Sequence, residues 1–116
     1  MKVDRRAAVR LESAGLITSI FDGRSAVLGV VEDVSQGGIR VANIPAAFKE
    51  SVETCYAVVS GPWQDFHLAL QPRWIHPAHR GMYKVIGFQI QRPPAEWTQY
   101  VQKMEHDRGA GLVFAA

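Results

Sequence analysis

The sequence predicts a mainly β protein in which six antiparallel strands close into a barrel and a single α-helix follows. Short runs rich in β-branched and aromatic residues recur between glycine- and proline-containing turns through residues 15–92. After Pro93-Pro94 the apolar period becomes helical. Closing the sheet removes the unpaired edges of an open sheet. At 116 residues the chain is predicted to be one domain, 1–116, with a flexible basic arm over residues 1–12.

Six runs have the composition of strands, and the first hairpin is the clearest because an Asp-Gly turn at residues 22–25 joins two of them. A turn at residues 35–38 precedes a short third strand, and residues 42–50, which include Pro45, are predicted to form a loop. Pro72 predicts a bulge or bend in the long fifth strand. The runs are Leu16–Phe21, Ala26–Val31, Ile39–Val41, Val52–Val59, Phe66–His76 and Met82–Gln91.

The helix is predicted over residues 94–108, since proline suits a first helical turn. Four residues recur at helical spacing and predict a face that docks on the barrel, and Gly109 stands where a C-terminal cap would fall. The four are Trp97, Tyr100, Val101 and Met104.

Composition excludes several classes of protein. The apolar fraction of 47% and charged fraction of 21% are those of a globular domain, and a net charge of +2 argues against a general nucleic-acid binder. Neither a signal peptide nor a membrane-spanning run is recognisable, so a cytoplasmic location without membrane insertion is expected. The single cysteine, Cys55, stands in an alternating apolar run and is predicted to be a buried thiol.

Catalytic and metal-binding motifs are not recognisable either. His76 and His79 offer two metal ligands, but zinc sites normally need four and the cysteine is distant in sequence. Neither G-x-S-x-G nor H-E-x-x-H occurs, and the adjacent Glu32 and Asp33 should face opposite sides of a strand. The sequence therefore predicts a protein without a metal site, a cofactor or enzymatic activity.

Three arginines in the arm form the first candidate site. Arg6 and Arg10 form an R-x-x-x-R motif with Arg5 beside it. Such a cluster alone is most often a solvated basic tail. The alternative is an anion clamp, because guanidinium groups match phosphate oxygens and stack on aromatic rings. Arg5 would then be an additional donor that helps a second, stacked nucleotide to bind.

The second candidate site is the D-x-S-x-x-G motif at residues 33–38. As an ordinary turn, its Asp and Ser side chains bond their own backbone and glycine supplies positive φ. As a site, Asp33 accepts the paired N–H groups of a guanine edge and Ser35 adds a hydroxyl donor. Gly38, with Gly37 beside it, lets the backbone come close to the ligand. The two motifs together predict a small, doubly anionic guanine nucleotide.

In this order the motifs resemble those of the PilZ domain family, receptors for the bacterial second messenger cyclic di-GMP. Leu70–His76 is similar to the family's later strand with its arginine and tryptophan, and Tyr83–Ile90 to its closing strand. The resemblance spans residues 4–104 and implies a six-stranded barrel with cyclic di-GMP as ligand. It also implies that Arg6 and Arg10 are the principal ligand arginines.

Arg73 is a further candidate contact to phosphate or guanine. Arg73 and Trp74 alternate along a strand, so one should face the core and the other the outside, and a core tryptophan is expected.

Three functions follow from these motifs. The first is a non-enzymatic receptor whose arm folds over the barrel on binding cyclic di-GMP and so changes the surface read by a separate effector protein. The resemblance implies motility, biofilm or exopolysaccharide control. The second is a PilZ-like interaction module that does not bind nucleotide. The third, a barrel that binds RNA or DNA, needs exposed aromatics, and Phe21, Phe66 and Phe88 look too apolar in context for that.

Overall fold

The computed structural model describes the backbone of residues 11–12, 16–49, 54–77 and 81–115, and the side chains of 16–49, 54–77 and 81–107. These residues form seven strands and one long helix. The elements are β1 (Leu11–Glu12), β2 (Ile17–Phe21), β3 (Ala26–Ser35), β4 (Gly38–Pro45), β5 (Cys55–Ser60), β6 (Asp65–Pro77), β7 (Tyr83–Gln91) and α1 (Ala95–Ala115).

All strand pairings are antiparallel, and their order is β1-β3-β2-β5-β6-β7-β4. Because β4 also pairs with β3, strands β2 to β7 close into the predicted six-stranded barrel. The short β1 is added to the far half of β3, where Leu11 pairs with Val34 and Glu12 with Asp33. Residues 11 and 12, predicted as the end of a flexible arm, therefore belong to the sheet.

The barrel interior is filled by alternate residues of each strand, as in the buried-exposed alternation of β5. Helix α1 closes the core with two residues of the predicted stripe, Trp97 and Val101, which are fully buried. The Phe66 and Trp97 rings meet edge to face with centroids 5.3 Å apart, and Tyr100 and Met104 pack against the same cluster. The docking face predicted for the helix is thus confirmed.

Several predicted boundaries were wrong. Strand β3 continues to Ser35, and β4 runs through the predicted loop to Pro45. Asn43 adopts a φ of 60° at a register shift between Val41 and Ile44. This bulge lets β4 continue into the segment that was predicted to be a loop. Helix α1 continues through Gly109 to Ala115 instead of ending there. The described part of the predicted fourth strand begins at Cys55.

A buried lysine ties the turn after β4 to β7, and the single cysteine lies in the core. Lys84 of β7 is 7% exposed, and its ammonium donates hydrogen bonds to the carbonyls of Ala46 at 3.0 Å and Phe48 at 2.8 Å. These bonds hold the turn after β4 against β7. Cys55 is fully buried as predicted, and burial raises the pKa of its thiol.

The carboxylate of Asp22 organises the turn between β2 and β3. Its Oδ1 accepts hydrogen bonds from the backbone N–H of Ser25 at 2.9 Å and of Arg24 at 2.8 Å, while Gly23 takes a φ of 98°. Its Oδ2 accepts from the N–H of Lys49 at 3.4 Å. The bonds from Ser25 and Arg24 lower the pKa of Asp22 below its ordinary value.

This turn predicts a pH dependence of stability. A lowered folded-state pKa stabilises the fold above the unfolded-state pKa, about 4, and that contribution is lost as the pH falls through the lower folded value. Wild type should therefore lose more stability than Asp22→Asn when urea unfolding is measured from pH 6 down to about pH 2. Parallel curves for the two proteins would contradict this role of the carboxylate.

In the part of the chain that the structure describes, no helix has the length and apolar character needed to span a membrane.

Candidate ligand-binding site

The D-x-S-x-x-G motif forms the connection between β3 and β4. Ser35 pairs with Gly38, so only Gln36 and Gly37 lie in the turn. The Ser35 hydroxyl is buried and donates to the Gly38 carbonyl at 3.3 Å. The Ser35 carbonyl accepts a hydrogen bond from Trp97 Nε1 at 3.1 Å, which ties the turn to helix α1.

The two glycines of the motif serve different purposes. A Cβ at Gly38 would lie 2.7 Å from the Phe88 carbonyl oxygen, so the close approach of β4 to β7 requires glycine there. A Cβ at Gly37 would meet no atom within 4 Å, and its position is exposed. Among the described glycines positive φ occurs at Gly23 and Gly81 but at neither Gly37 nor Gly38. The expectation that this turn uses glycine for positive φ was wrong.

The Asp33 carboxylate forms an ion pair within the site. Arg40 Nε lies 3.1 Å from Asp33 Oδ2 and 3.1 Å from Glu32 Oε1. The Asp33 side chain is 9% exposed, whereas those of Glu32 and Arg40 are about two-fifths exposed. This Nε makes no well-directed hydrogen bond, so both contacts are electrostatic. One guanidinium thus bridges two carboxylates.

This arrangement corrects the expectation that Glu32 and Asp33 act on opposite sides of the strand. The pairing of β3 with β4 shifts register between Val31 and Asp33. Such a bulge breaks the strict alternation of side chains and re-aims them. Both carboxylates consequently reach the same arginine nitrogen.

From this ion pair a row of four paired residues runs across the adjacent strands β3, β4, β7 and β6. Asp33 pairs with Arg40, Arg40 with Gly87, and Gly87 with Trp74. Trp74 is 39% exposed, so the expectation of a core tryptophan was wrong. The register shift between Pro72 and Trp74, at the bulge predicted there, is the cause.

Arg40 and Trp74 are candidate residues of this surface that were not predicted from the sequence. Arg40 follows the D-x-S-x-x-G motif by two positions and therefore shares a strand face with Gly38. That spacing was the available signal for Arg40. The signal for Trp74 lay in Gly87, a glycine inside an apolar strand, which marks a close approach.

Outside the hairpin that joins β3 to β4, Arg73 is the only predicted ligand residue within the described ranges. Arg73 is exposed and falls at the bulge, between the paired positions Pro72 and Trp74. Arg5, Arg6 and Arg10 lie outside the described residues. His79 does too, and over residues 16–49, 54–77 and 81–107 no three His, Cys, Asp or Glu side chains converge as metal ligands would.

Fold and geometry define a small closed β-barrel whose outer face carries a buried carboxylate, an arginine and a half-exposed tryptophan in one row. No protein-family model matches the sequence, and comparison with curated proteins finds no match.

Solved structures show the fold. The chain is similar to the Bacillus subtilis inhibitor of motility MotI/DgrA, with a TM-score of 0.75, 17% identity, and coverage of 92% of this chain and 52% of that one. It is similar to the PilZ domain of YcgR from Escherichia coli with c-di-GMP, with a TM-score of 0.64, 17% identity, and coverage of 91% and 94%. It is also similar to the Borreliella burgdorferi PlzA protein in complex with c-di-GMP, with a TM-score of 0.62, 12% identity, and coverage of 95% and 55%.

The chain therefore has a PilZ-like fold. It spans about half the length of MotI/DgrA and PlzA, and nearly all of the isolated YcgR domain.

Proposed function

We propose that this chain is a non-enzymatic receptor for cyclic di-GMP. The nucleotide binds between the N-terminal arginines and the hairpin of β3 and β4, which carries Asp33. One observation carries the proposal: Glu12 pairs with Asp33, and Leu11 with Val34. Val34 lies within the D-x-S-x-x-G motif, and Leu11 follows Arg10, the last residue of the R-x-x-x-R motif, in the sequence. This pairing supports a site to which both motifs contribute.

The solved structures support the choice of ligand. The PilZ domain of YcgR and the PlzA protein, whose fold this chain shares, are complexes with c-di-GMP. On this chain, Asp33 would accept the N1–H and amino group of a guanine, and Arg6 and Arg10 would hold phosphate oxygens. Arg5 and Arg73 are proposed as further donors.

Arg40 places a positive charge beside the carboxylate that is proposed to bind guanine. The ion pair holds the Asp33 carboxylate beside the Arg40 guanidinium in a largely buried position, which fixes the two oxygens that a guanine edge would contact. If a guanine binds the Asp33 carboxylate, Arg40 can still form its ion pair with Glu32. Ser35 stays a proposed donor, although its hydroxyl must leave the Gly38 carbonyl to reach a ligand.

The output of the receptor is proposed to be a surface read by a separate effector protein in the bacterial cytoplasm, with motility, biofilm or exopolysaccharide production as the controlled process. The alternative is a PilZ-like interaction module that binds no nucleotide. Phe21 and Tyr56 favour that alternative, since they pair in adjacent strands and are 45% and 60% exposed. Phe21 is thus more exposed than the sequence suggests, whereas Phe66 and Phe88 are buried.

A calorimetric titration with cyclic di-GMP tests the proposal. We expect saturable binding to wild type, loss of binding in Arg6→Ala and Arg10→Ala, and no binding of GTP at the same concentration. Lys103→Ala is the control, because Lys103 is exposed on α1 and forms an ion pair with Asp107 in the next helical turn. Changed stoichiometry in Arg5→Ala would support a second nucleotide. No heat at millimolar nucleotide would reject the receptor in favour of the interaction module.

A further inference from the structure

The indole of Trp74 lies at the end of the row that begins at Asp33. Residues paired directly across strands direct their side chains to the same face. Carboxylate, guanidinium and indole therefore occupy one outer surface of the barrel. Asp33 and Trp74 are three strand spacings apart, roughly 14 Å along the sheet. That distance is longer than a single purine ring system.

Gly87 holds the indole in place. A Cβ there would lie 2.1 to 2.4 Å from three indole atoms, Cε2, Nε1 and Cζ2. Any other residue would push the ring away from β7. The ring is supported by this backbone on one side and by His76, whose ring centroid lies 4.9 Å away, on another. Despite these contacts Trp74 is 39% exposed, so a preset aromatic surface faces solvent.

We propose that Trp74 is a specificity-determining residue on which a purine base of the ligand packs; this inference rests on the proposed function. Asp33 recognises a base by its hydrogen-bonding edge, and Trp74 recognises a base by its flat face. Aromatic side chains stack on bases with appreciable energy and without regard to sequence. Because the two contacts are far apart, a ligand with two bases engages both, whereas a mononucleotide engages one.

The chain offers a direct optical test. It contains three tryptophans: Trp63, which is 87% exposed on the turn between β5 and β6, the buried Trp97, and Trp74. In a Trp63→Phe protein, cyclic di-GMP should quench the emission as it saturates the site measured by calorimetry. In the Trp63→Phe, Trp74→Phe protein most of that quenching should disappear, which separates Trp74 from Trp97.

Affinity provides the second readout. Trp74→Ala should weaken cyclic di-GMP binding by about 5- to 150-fold, and Trp74→Phe by less, because a phenyl ring keeps part of the stacking surface. Gly87→Ala should also weaken binding, since it displaces the indole while keeping it in the protein. Trp63→Ala, the matched control, should bind as wild type does. Thermal melting of each variant checks that the barrel is folded.

The outcomes separate the two proposals. If wild type binds and a folded Trp74→Ala binds within twofold with the same quenching, the role of Trp74 is overturned while the receptor stands. If wild type gives no heat with cyclic di-GMP, the receptor and the role of Trp74 are overturned together. If Gly87→Ala fails to fold, the binding of the Trp74 variants alone tests whether Trp74 contacts the ligand.

Discussion

Asp33→Ala is expected to weaken cyclic di-GMP binding by about a hundredfold or more, because the guanine edge loses two charge-assisted hydrogen bonds. Asp33→Asn should bind with intermediate affinity, since its amide oxygen still accepts one N–H group while the charge is lost. The fold should tolerate both changes, because Glu32 remains beside Arg40. Isothermal titration calorimetry measures the affinities directly.

Glu32→Ala is the matched control for this prediction. It removes the other carboxylate from the same guanidinium, but the Glu32 side chain is 41% exposed and is not placed to read the base. We expect its affinity to stay within about threefold of wild type, as for an exposed ion pair. If a folded Asp33→Ala protein bound as tightly as Glu32→Ala, Asp33 would not be the guanine acceptor.

The largest loss of stability is expected from Trp97→Ala. Its side chain is fully buried between the barrel and α1, and its ring contacts Phe66 edge to face. Truncation of a buried tryptophan costs about 3–5 kcal/mol, which is a large share of the roughly 5–15 kcal/mol that holds a domain folded. Urea denaturation followed by circular dichroism measures this change.

Trp97→Phe separates packing from hydrogen bonding. Phenylalanine keeps much of the ring but leaves the buried carbonyl of Ser35 without the indole donor, a loss of about 1–3 kcal/mol. Trp63→Ala is the matched control and should change stability by no more than about 0.5 kcal/mol, because Trp63 is 87% exposed. Equal effects of alanine at Trp97 and at Trp63 would contradict the assigned role of Trp97.

The architecture was predictable because its signals are local. The Asp-Gly turn at residues 22–25, the β-branched runs and the spacing of Trp97 and Val101 each specify an element directly. The closed order of strands follows from burying one face of each strand without leaving edges. Those features predicted the barrel, its first hairpin and the helical docking face.

Three wrong side-chain and boundary predictions lie at three bulges, of which the sequence predicted only the one at Pro72. Successive side chains of a regular strand alternate between its two faces, and one extra residue reverses the face of every residue after it. The bulge before Asp33 turned Glu32 toward Arg40, and the bulge before Trp74 turned an expected core residue outward. The bulge at Asn43 carried β4 through a predicted loop. The side chains that a bulge redirects depend on the register between paired strands, which the residue pattern of a single strand does not give.

The pairing of β1 with β3 has a consequence for the arginine motif. Leu11 is paired in the sheet, and Arg10 precedes it by one residue and Arg6 by five. Five residues of extended chain span about 18 Å at most, which limits the distance between Leu11 and Arg6. Tethering by a short segment raises the effective concentration of a group to the millimolar range or above. In the proposed receptor this tether would hold the two arginines within reach of Asp33, and loop-closure entropy would favour Arg10 over Arg6 as the first to contact the nucleotide.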